Sequence, residues 1–422
     1  MSFSAASTIA TTESSDTGSP VRGAWAGWIN IVVAAVIMLA TLPGRTQGLG
    51  LITEPMLRDF QLDRVTYANI NLWATLLGAV VCLPIGRLFD RMGLRAATCA
   101  ITVLLGAVVW TMSRLAGGAI MLFVLVLATR ALGQSALSVA SITAVGKSFD
   151  RRVGMAMGIY SVLLSLFFAA AFTAVGTAVR VSGWRTAWAQ VAFGLVLVAA
   201  PVVLLLRERP ARPSSDQAEA GNNQGLSLAA ALRTPAFWVF GGATSLFGLV
   251  SSGLGLFNQA VLAERGFDQQ TYVRFLAATS IIALAGQLAC GWLTLRWSMQ
   301  RLLGLAMFVY AVALAALPLL ATLSQLWIFA ALIGLSGGMI TVLFFAVWRH
   351  AFGPAHLGRI QGAAQMLTVL ASAIGPLIFA QCAAVTGSYT PALWMLAPCV
   401  LLLGIAALRV SMPSPIQGRI VR

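Results

Sequence analysis

Long apolar runs dominate this sequence and constrain its fold more than any other feature. About 20 residues are needed to cross the hydrocarbon of a bilayer, and twelve runs of roughly this length or more are bounded by charge, Gly or Pro. They cover residues 24–56, 66–88, 95–112, 118–145, 152–180, 186–206, 236–262, 271–295, 301–322, 325–349, 357–385 and 389–409. The pattern predicts an all-α membrane protein with twelve transmembrane helices, so the lipid bilayer is its first partner.

The composition excludes several other classes. Apolar residues make up 59% of the chain and charged residues 9%, against about 25% charged in a soluble domain. The net charge of +15 lies in short loops, where basic residues set membrane topology, so no nucleic-acid partner is expected. Five cysteines without a Cys-x-x-Cys pair and two histidines predict neither a metal site nor a cofactor. No nucleophile or carboxylate pair indicates an enzyme.

The chain divides into two similar parts. Residues 207–234 form a long polar segment and predict a cytoplasmic linker between a six-helix half, 23–206, and a second one, 235–410. Residues 1–22 and 411–422 are expected to be cytoplasmic tails, the first of them disordered. An offset of 204 or 205 residues relates the halves, matching Leu57, Thr66, Tyr67, Gly86, Gly133 and Gly158 to Leu262, Thr271, Tyr272, Gly291, Gly337 and Gly362.

Basic residues predict the orientation. Of the 27 Lys and Arg residues, 18 fall in segments on the side of the N-terminus and seven on the opposite side. Because cytoplasmic loops carry the excess of positive charge, both termini are expected in the cytoplasm. The expected location is the inner membrane of the cell.

The loop after the second run carries a recognisable motif. Residues 86–95 read Gly-Arg-Leu-Phe-Asp-Arg-Met-Gly-Leu-Arg, which resembles the loop between helices 2 and 3 of the major facilitator superfamily of secondary transporters. The resemblance implies the major facilitator fold, with two six-helix halves around a central cavity, helices 1, 4, 7 and 10 lining it, and a carrier that functions as a monomer.

In that family, such a loop can act as a conformational latch. Asp90 at a helix end could bind neighbouring amides and basic groups and hold one state closed. The residues assigned to the latch are Gly86, Asp90, Arg91, Gly93, Arg95, Arg151 and Arg152. Alternatively, these arginines only anchor the loops to lipid headgroups.

Two arginines lie well inside the apolar runs rather than near their ends, at a depth where charge is costly and usually functional. Arg130 belongs to the fourth run, with Gln134 and Ser138 on the same helix face. Arg45 belongs to the first run, where nearby Pro and Gly residues allow the helix to bend. The twelve Asp and Glu residues fall in tails, loops or helix ends, so an anion is expected to pair with the arginines.

The depth of Arg45 depends on where the first helix begins. It lies about 30 Å from Trp25 but about 18 Å from Leu57 at the opposite end. We favour mid-membrane depth over an arginine that extends to the outer surface. The expected substrate-binding set is Arg45, Gln47, Arg130, Gln134 and Ser138 in the first half and Ser251, Ser252 and Phe344 in the second.

Short matches narrow the resemblance to one group of the superfamily. Three segments are similar to the monocarboxylate transporter and oxalate:formate antiporter group, namely Gly44 to Arg64, Leu232 to Trp238 and Gly358 to Tyr389. This implies alternating-access transport of a small organic anion, such as a carboxylate. The alternatives are a carrier for another solute, such as a nitrate-like anion, drug or sugar, or a sensor on the same fold that does not transport.

Overall fold

The computed structural model describes residues 20–80, 85, 88–89, 91–146, 148, 153–207, 226–353 and 357–413. Within this part the chain is almost entirely helical, and we number the membrane-spanning helices α1 to α12. In the first half α1 has two parts, Pro20–Ala40 and Thr46–Phe60, followed by α2 (Arg64–Val80) and α3 (Leu94–Ser113). α4 comprises Ala119–Thr129, a π-helical segment Arg130–Leu137, and Ser138–Gly146.

α5 and α6 follow each other through a single sharp turn. The helical stretch Val153–Gly194 is interrupted at Gly183, whose φ of 79° is accessible to glycine at low cost. α5 precedes this glycine, and α6 follows it and ends at Val203. The second half contains α7 (Pro235–Ala263), α8 (Gln269–Leu293), α9 (Met299–Ala316), α10 (Leu323–Phe352), α11 (Leu357–Thr386) and α12 (Thr390–Arg409).

Ten continuous segments of the described chain are long and apolar enough to cross a membrane. One of them, Gly158–Val203, contains both α5 and α6, and α2 is shorter, with 17 described residues. The predicted twelve-helix fold is therefore confirmed. Most of the predicted linker and tails lies outside the described residues, so these boundaries remain predictions. A short helix, Leu228–Leu232, precedes α7, and the amide of Leu226 donates to the carbonyl of Phe352 in α10.

The sequence repeat is visible in the turns. Gln61 (φ 51°) ends α1 and Gly266 (φ 81°) ends α7, 205 residues later, both in the left-handed region. Asp63 and Asp268 then accept the amides of Thr66 and Thr271, each at 2.9 Å. Hydrogen bonds from these threonines hold the pKa of both carboxyl groups below the usual range. We call the end of the bundle that carries these two turns the turn face, and the opposite end, with Val203 to Arg207, the linker face.

A second repeated contact fixes the turn face. Asp59, at the end of α1, accepts the indole N–H of Trp184 at 2.7 Å, just after the α5–α6 turn. Its counterpart Glu264 accepts the amide of Tyr389 at 3.3 Å, just after the α11–α12 turn. In each half, an acidic residue at the end of the first helix thus accepts a hydrogen bond from the turn between the fifth and sixth helices.

The halves meet along three helix pairs, namely α1 with α7, α2 with α11, and α5 with α8. The backbones of α1 and α7 approach each other closely, because a Cβ added at Gly50 would lie 2.1 Å from the carbonyl oxygen of Gly255. Gly50 and Gly255 are themselves related by the 205-residue offset. Two residues that are related by a pseudo-twofold axis and touch each other must lie beside that axis.

Candidate functional site

The first half has its main irregularity inside α1. After Ala40 the chain forms a 3₁₀ turn over Leu42–Gly44, and Arg45 is extended (φ −92°, ψ 149°) before the helix resumes at Thr46. Gly44 is required there, because a Cβ would lie 2.3 Å from the carbonyl oxygen of Thr129. The bend predicted from Pro43 and Gly44 is therefore a true break, packed directly on the backbone of α4.

Arg130 lies on α4 opposite this break and is only 2% exposed. One terminal guanidinium nitrogen donates to the carbonyl of Gly44 (3.0 Å), the hydroxyl of Thr46 (3.1 Å) and the amide oxygen of Gln134 (2.7 Å). The other donates to the amide oxygen of Asn71 in α2 at 2.9 Å. These acceptors are all neutral, so Arg130 holds the α1 break, α2 and α4 together with an uncompensated charge.

Arg45 has different surroundings. Its Nε donates to the hydroxyl of Thr41 at 2.6 Å, and one terminal nitrogen lies 2.7 Å from the thioether sulfur of Met38, a weak acceptor. The guanidinium carbon lies 5.2 Å from the centre of the Phe168 ring in α5. Arg45 is partly exposed, so its charge is less fully satisfied than that of Arg130. Fifteen helical residues follow it in α1, or about 22 Å, which supports the mid-depth interpretation.

The ion pairs of the described residues lie away from both arginines. They are Arg64–Glu54, Arg185–Asp59 and Arg265–Glu264, all in or near the turn face. One expectation was inaccurate here: Glu54 is a buried carboxylate inside α1, 8% exposed, rather than a residue of a loop or helix end. Its partner Arg64 donates to both of its oxygens, at 3.1 and 2.8 Å, which explains how the charge is tolerated.

Three further predicted residues of the first half lie near the arginines. Gln134 is bound to Arg130, and the Ser138 hydroxyl lies 3.7 Å from the same Met38 sulfur that Arg45 contacts. Gln47 extends to the second half, where its Cγ is 3.4 Å from the position a Cβ would take on Gly255. The structure therefore gathers the five predicted residues of the first half around one break in α1.

The predicted residues of the second half are not gathered in the same way. The Ser251 hydroxyl lies 3.4 Å from the hydroxyl of Tyr310 in α9, inside its own half. Phe344 is 8% exposed and packs against Phe345 and Trp348, with ring centres 5.2 and 6.2 Å away. Ser252 is buried in α7. A core position therefore describes Phe344 better than the predicted place in a binding site.

Sequence reasoning missed several members of this site. Asn71, 1% exposed, is one of two asparagines in the second apolar run, the other being Asn69, and an amide within such a run is itself a signal of a buried polar contact in a membrane protein. Met38, Thr41 and Phe168 gave no such signal, because residues of these types are common in any membrane helix.

The predicted latch falls mainly outside the described residues. Gly86, Asp90, Arg151 and Arg152 are not among them, so the latch remains a prediction. Of the others, Gly93 (φ 79°) precedes the first turn of α3, and Arg91 and Arg95 are exposed at the linker face.

Twelve membrane-spanning helices in two repeated halves, with a buried arginine packed against a break in the first helix, are the architecture of an integral multi-pass membrane protein. The chain belongs to the Major Facilitator Superfamily, whose family model matches residues 33–376 and, in a second match, 275–419. Its members are transporters and not enzymes.

Similar proteins agree with this assignment. An "MFS-type efflux pump" of Mycolicibacterium smegmatis is 27% identical over 371 residues, which cover 85% of this chain and 80% of the relative. Two crystal structures of a bacterial homologue of the human lysosomal transporter Spinster share the fold. The inward-facing, occupied form matches with a TM-score of 0.62, 14% identity and coverage of 90% of this chain and 92% of the other. The inward-facing, unoccupied form matches with a TM-score of 0.65, 15% identity and coverage of 93% of this chain and 95% of the other. The monocarboxylate and oxalate:formate group gains no support from these relatives.

Proposed function

We propose that this protein is a secondary transporter that moves organic anions across the membrane by alternating access of its two halves. The observation that carries the proposal is Arg45. It places a partly exposed guanidinium at a break in α1, and its described contacts are a hydroxyl, a thioether and an aromatic ring. An unpaired cation inside a membrane protein favours an anionic partner, and the arginine fork suits a carboxylate.

The two arginines have different roles in this proposal. Arg130 makes four hydrogen bonds to neutral acceptors and is buried, so it positions the break rather than meeting the substrate first. Arg45 receives the anionic group, assisted by Ser138 and by Gln47, which reaches the second half. Phe168 and Met38 line the same place with apolar surface, which suits a substrate that has an apolar or aromatic body beside its charge.

The relative named as an efflux pump favours export as the direction of transport. It also keeps a second candidate open, the export of a lipophilic compound without negative charge. The two candidates differ in what Arg45 does, because a neutral or cationic compound would gain nothing from an unpaired guanidinium.

Transport by purified protein in liposomes tests the proposal. The solutes are radiolabelled benzoate, acetate, nitrate, glucose and tetraphenylphosphonium, each with and without a pH gradient, and liposomes without protein correct for passive permeation. We expect saturable transport of benzoate, less of acetate, and none of glucose or the organic cation. Saturable transport of tetraphenylphosphonium alone would favour the second candidate, and binding without transport of any solute would favour a sensor.

A further inference from the structure

The hydrogen bonds of Arg130 are spread unevenly over its guanidinium group. Three oxygens meet at one terminal nitrogen, namely the carbonyl of Gly44 (3.0 Å), the hydroxyl of Thr46 (3.1 Å) and the amide oxygen of Gln134 (2.7 Å). A terminal guanidinium nitrogen has fewer N–H protons than this, so the acceptors outnumber the donors. The other terminal nitrogen donates to the amide oxygen of Asn71 at 2.9 Å, and Nε is buried without a hydrogen-bond partner among the described residues.

These four oxygens, which we call the oxygen cluster, suit a compact cation better than a planar fork. A guanidinium group matches paired acceptors that lie in its own plane, as in a carboxylate or a phosphate. In contrast, neutral carbonyl and hydroxyl oxygens that converge on one point resemble the ligands of a metal cation. Unwound backbone carbonyls of broken helices bind such cations in other transporters, and the Gly44 carbonyl belongs to the break in α1.

The oxygen cluster is buried and its ligands are neutral. Thr46, Asn71 and Arg130 are 9%, 1% and 2% exposed. The ion pairs of the described residues lie in or near the turn face, so no described carboxylate is paired with Arg130. Divalent cations in proteins are usually held by one or more carboxylates, so a neutral cluster favours a cation with a single charge.

From these features we infer that the oxygen cluster is a site for a monovalent cation, which the chain fills with its own guanidinium group. Arg130 takes the place of an inorganic ion and joins the α1 break to α2 and α4. The wild-type protein should therefore take up no cation at this position, whereas a variant without the arginine side chain should bind one from solution. The same ligands surround Arg130 whichever solute is transported, so a failure of the proposed anion transport would leave this site unaffected.

The stability of the purified full-length protein in different salts tests the site. Thermal unfolding is followed by tryptophan fluorescence in millimolar choline, potassium, ammonium or guanidinium chloride, at matched ionic strength. The wild-type midpoint should be the same in every salt. The midpoint of Arg130→Ala should be lower than that of wild type in choline, which is too large for the cluster. It should rise saturably with each of the smaller cations, because a ligand that binds only the folded state stabilises it.

Arg45→Ala is the matched control. Arg45 lies in the same break, but its described contacts are a hydroxyl, a thioether and an aromatic ring. Its removal leaves no comparable set of oxygens, so no cation should raise the midpoint of this variant. An equal rise in Arg45→Ala or in wild type would overturn the inference by showing a general effect of the salt.

Arg130→Lys protects the test against misfolding of Arg130→Ala. The lysine ammonium is a compact charge with several N–H donors, so its midpoint in choline should lie close to that of wild type and well above that of Arg130→Met. A midpoint as low as that of Arg130→Met would overturn the inference, as would the absence of any rise in Arg130→Ala. A rise with guanidinium alone would also overturn it, by showing that the site requires the planar group.

Discussion

α1 and α7 occupy corresponding places in the two halves, yet only α1 is broken. α7 runs without interruption from Pro235 to Ala263, and the counterpart of Arg45 is Val250, a fully buried apolar residue. α4 and α10 differ in the same way. α4 contains a π-helical segment that begins at Arg130, whereas α10 is one continuous α-helix with Gly334 at the corresponding position.

At the turn face the same halves are almost alike. The α1–α2 and α7–α8 turns share their left-handed residue and their Asp cap, and Asp59 and Glu264 hold equivalent turns. The comparison indicates that both copies keep the features that form the fold, while the buried charged residues within the described part of the chain, Glu54 and Arg130, belong to the first copy. Irregular helix segments are common at functional sites, which agrees with a binding site placed mainly in the first half.

The largest effect is expected at Arg45. Arg45→Gln should lower the rate of anion transport by about 100-fold, because it removes a charge-assisted bond to the substrate. Arg45→Lys, which keeps the charge but loses the fork, should retain part of the activity. Flux in proteoliposomes measures both variants.

The control for this prediction lies in the second half. Ser252→Ala changes the counterpart of Gln47 in α7 and should change the flux by less than about threefold, as a single neutral hydrogen bond would. A larger loss in Ser252→Ala than in Arg45→Gln would mean that the chemistry is not concentrated in the first half.

Arg130→Met should lower the stability of the folded protein more than Arg45→Gln does. It leaves the carbonyl of Gly44 and the amide oxygen of Asn71 without their donor, which should cost about 3 kcal/mol of unfolding free energy. Thermal unfolding followed by tryptophan fluorescence should show a larger drop in midpoint than for Arg45→Gln. A variant with unchanged stability and no substrate binding would show instead that Arg130 is a direct ligand.

The contact between Gly50 and Gly255 allows an asymmetric test of two equivalent positions. A methyl group at Gly50 would collide with a backbone carbonyl, whereas one at Gly255 would meet Gln47 and Thr46 side chains at 3.4 and 3.6 Å. Gly50→Ala should therefore push the two halves apart at the turn face. We expect it to shift the equilibrium between closed and open states of this face about tenfold toward the open state, within the usual cost of overpacking. Gly255→Ala should have little effect.

Maleimide labelling reports this shift. A cysteine at Gln259, one turn beyond Gly255 in α7, should react faster in the Gly50→Ala background than in the Gly255→Ala background. Equal rates would mean that the close approach of α1 and α7 does not control opening at this face.

The smallest effect is expected at the ends of α1 and α7. Gln61 adopts a left-handed conformation that glycine adopts at little cost, and its counterpart is Gly266. Gln61→Gly should stabilise the first half by about 1 kcal/mol, and Gly266→Gln should destabilise the second by a similar amount. Opposite shifts of the unfolding midpoint would verify the repeated turn, and shifts of the same sign would contradict it.

The sequence was sufficient for the features that depend on composition and repetition. Apolar runs located the helices, the 205-residue offset located equivalent turns, and Arg45 and Arg130 stood out because charge is rare in membrane helices. The hydrogen-bond partners of Arg130 were harder to predict from the sequence, since the Gly44 carbonyl becomes an acceptor only when the helix breaks. Ser251 was assigned by the repeat to the substrate site, but its hydroxyl pairs with Tyr310, because side-chain direction depends on neighbours that the offset does not describe.

The uncompensated arginines also have an electrical consequence. Arginine does not lose its proton in proteins, so at their predicted mid-membrane depth Arg45 and Arg130 remain fixed positive charges within the membrane field. One charge that crosses the whole field changes its energy by about 2.3 kcal/mol per 100 mV, and any movement of the first half that carries these residues part of the way is driven or opposed by the membrane potential. A bound anion cancels one of the two charges, so the loaded and the empty carrier should respond differently to voltage. Currents recorded on a solid-supported membrane should therefore change in size when Arg45 becomes Gln, even under conditions in which the anion flux is matched.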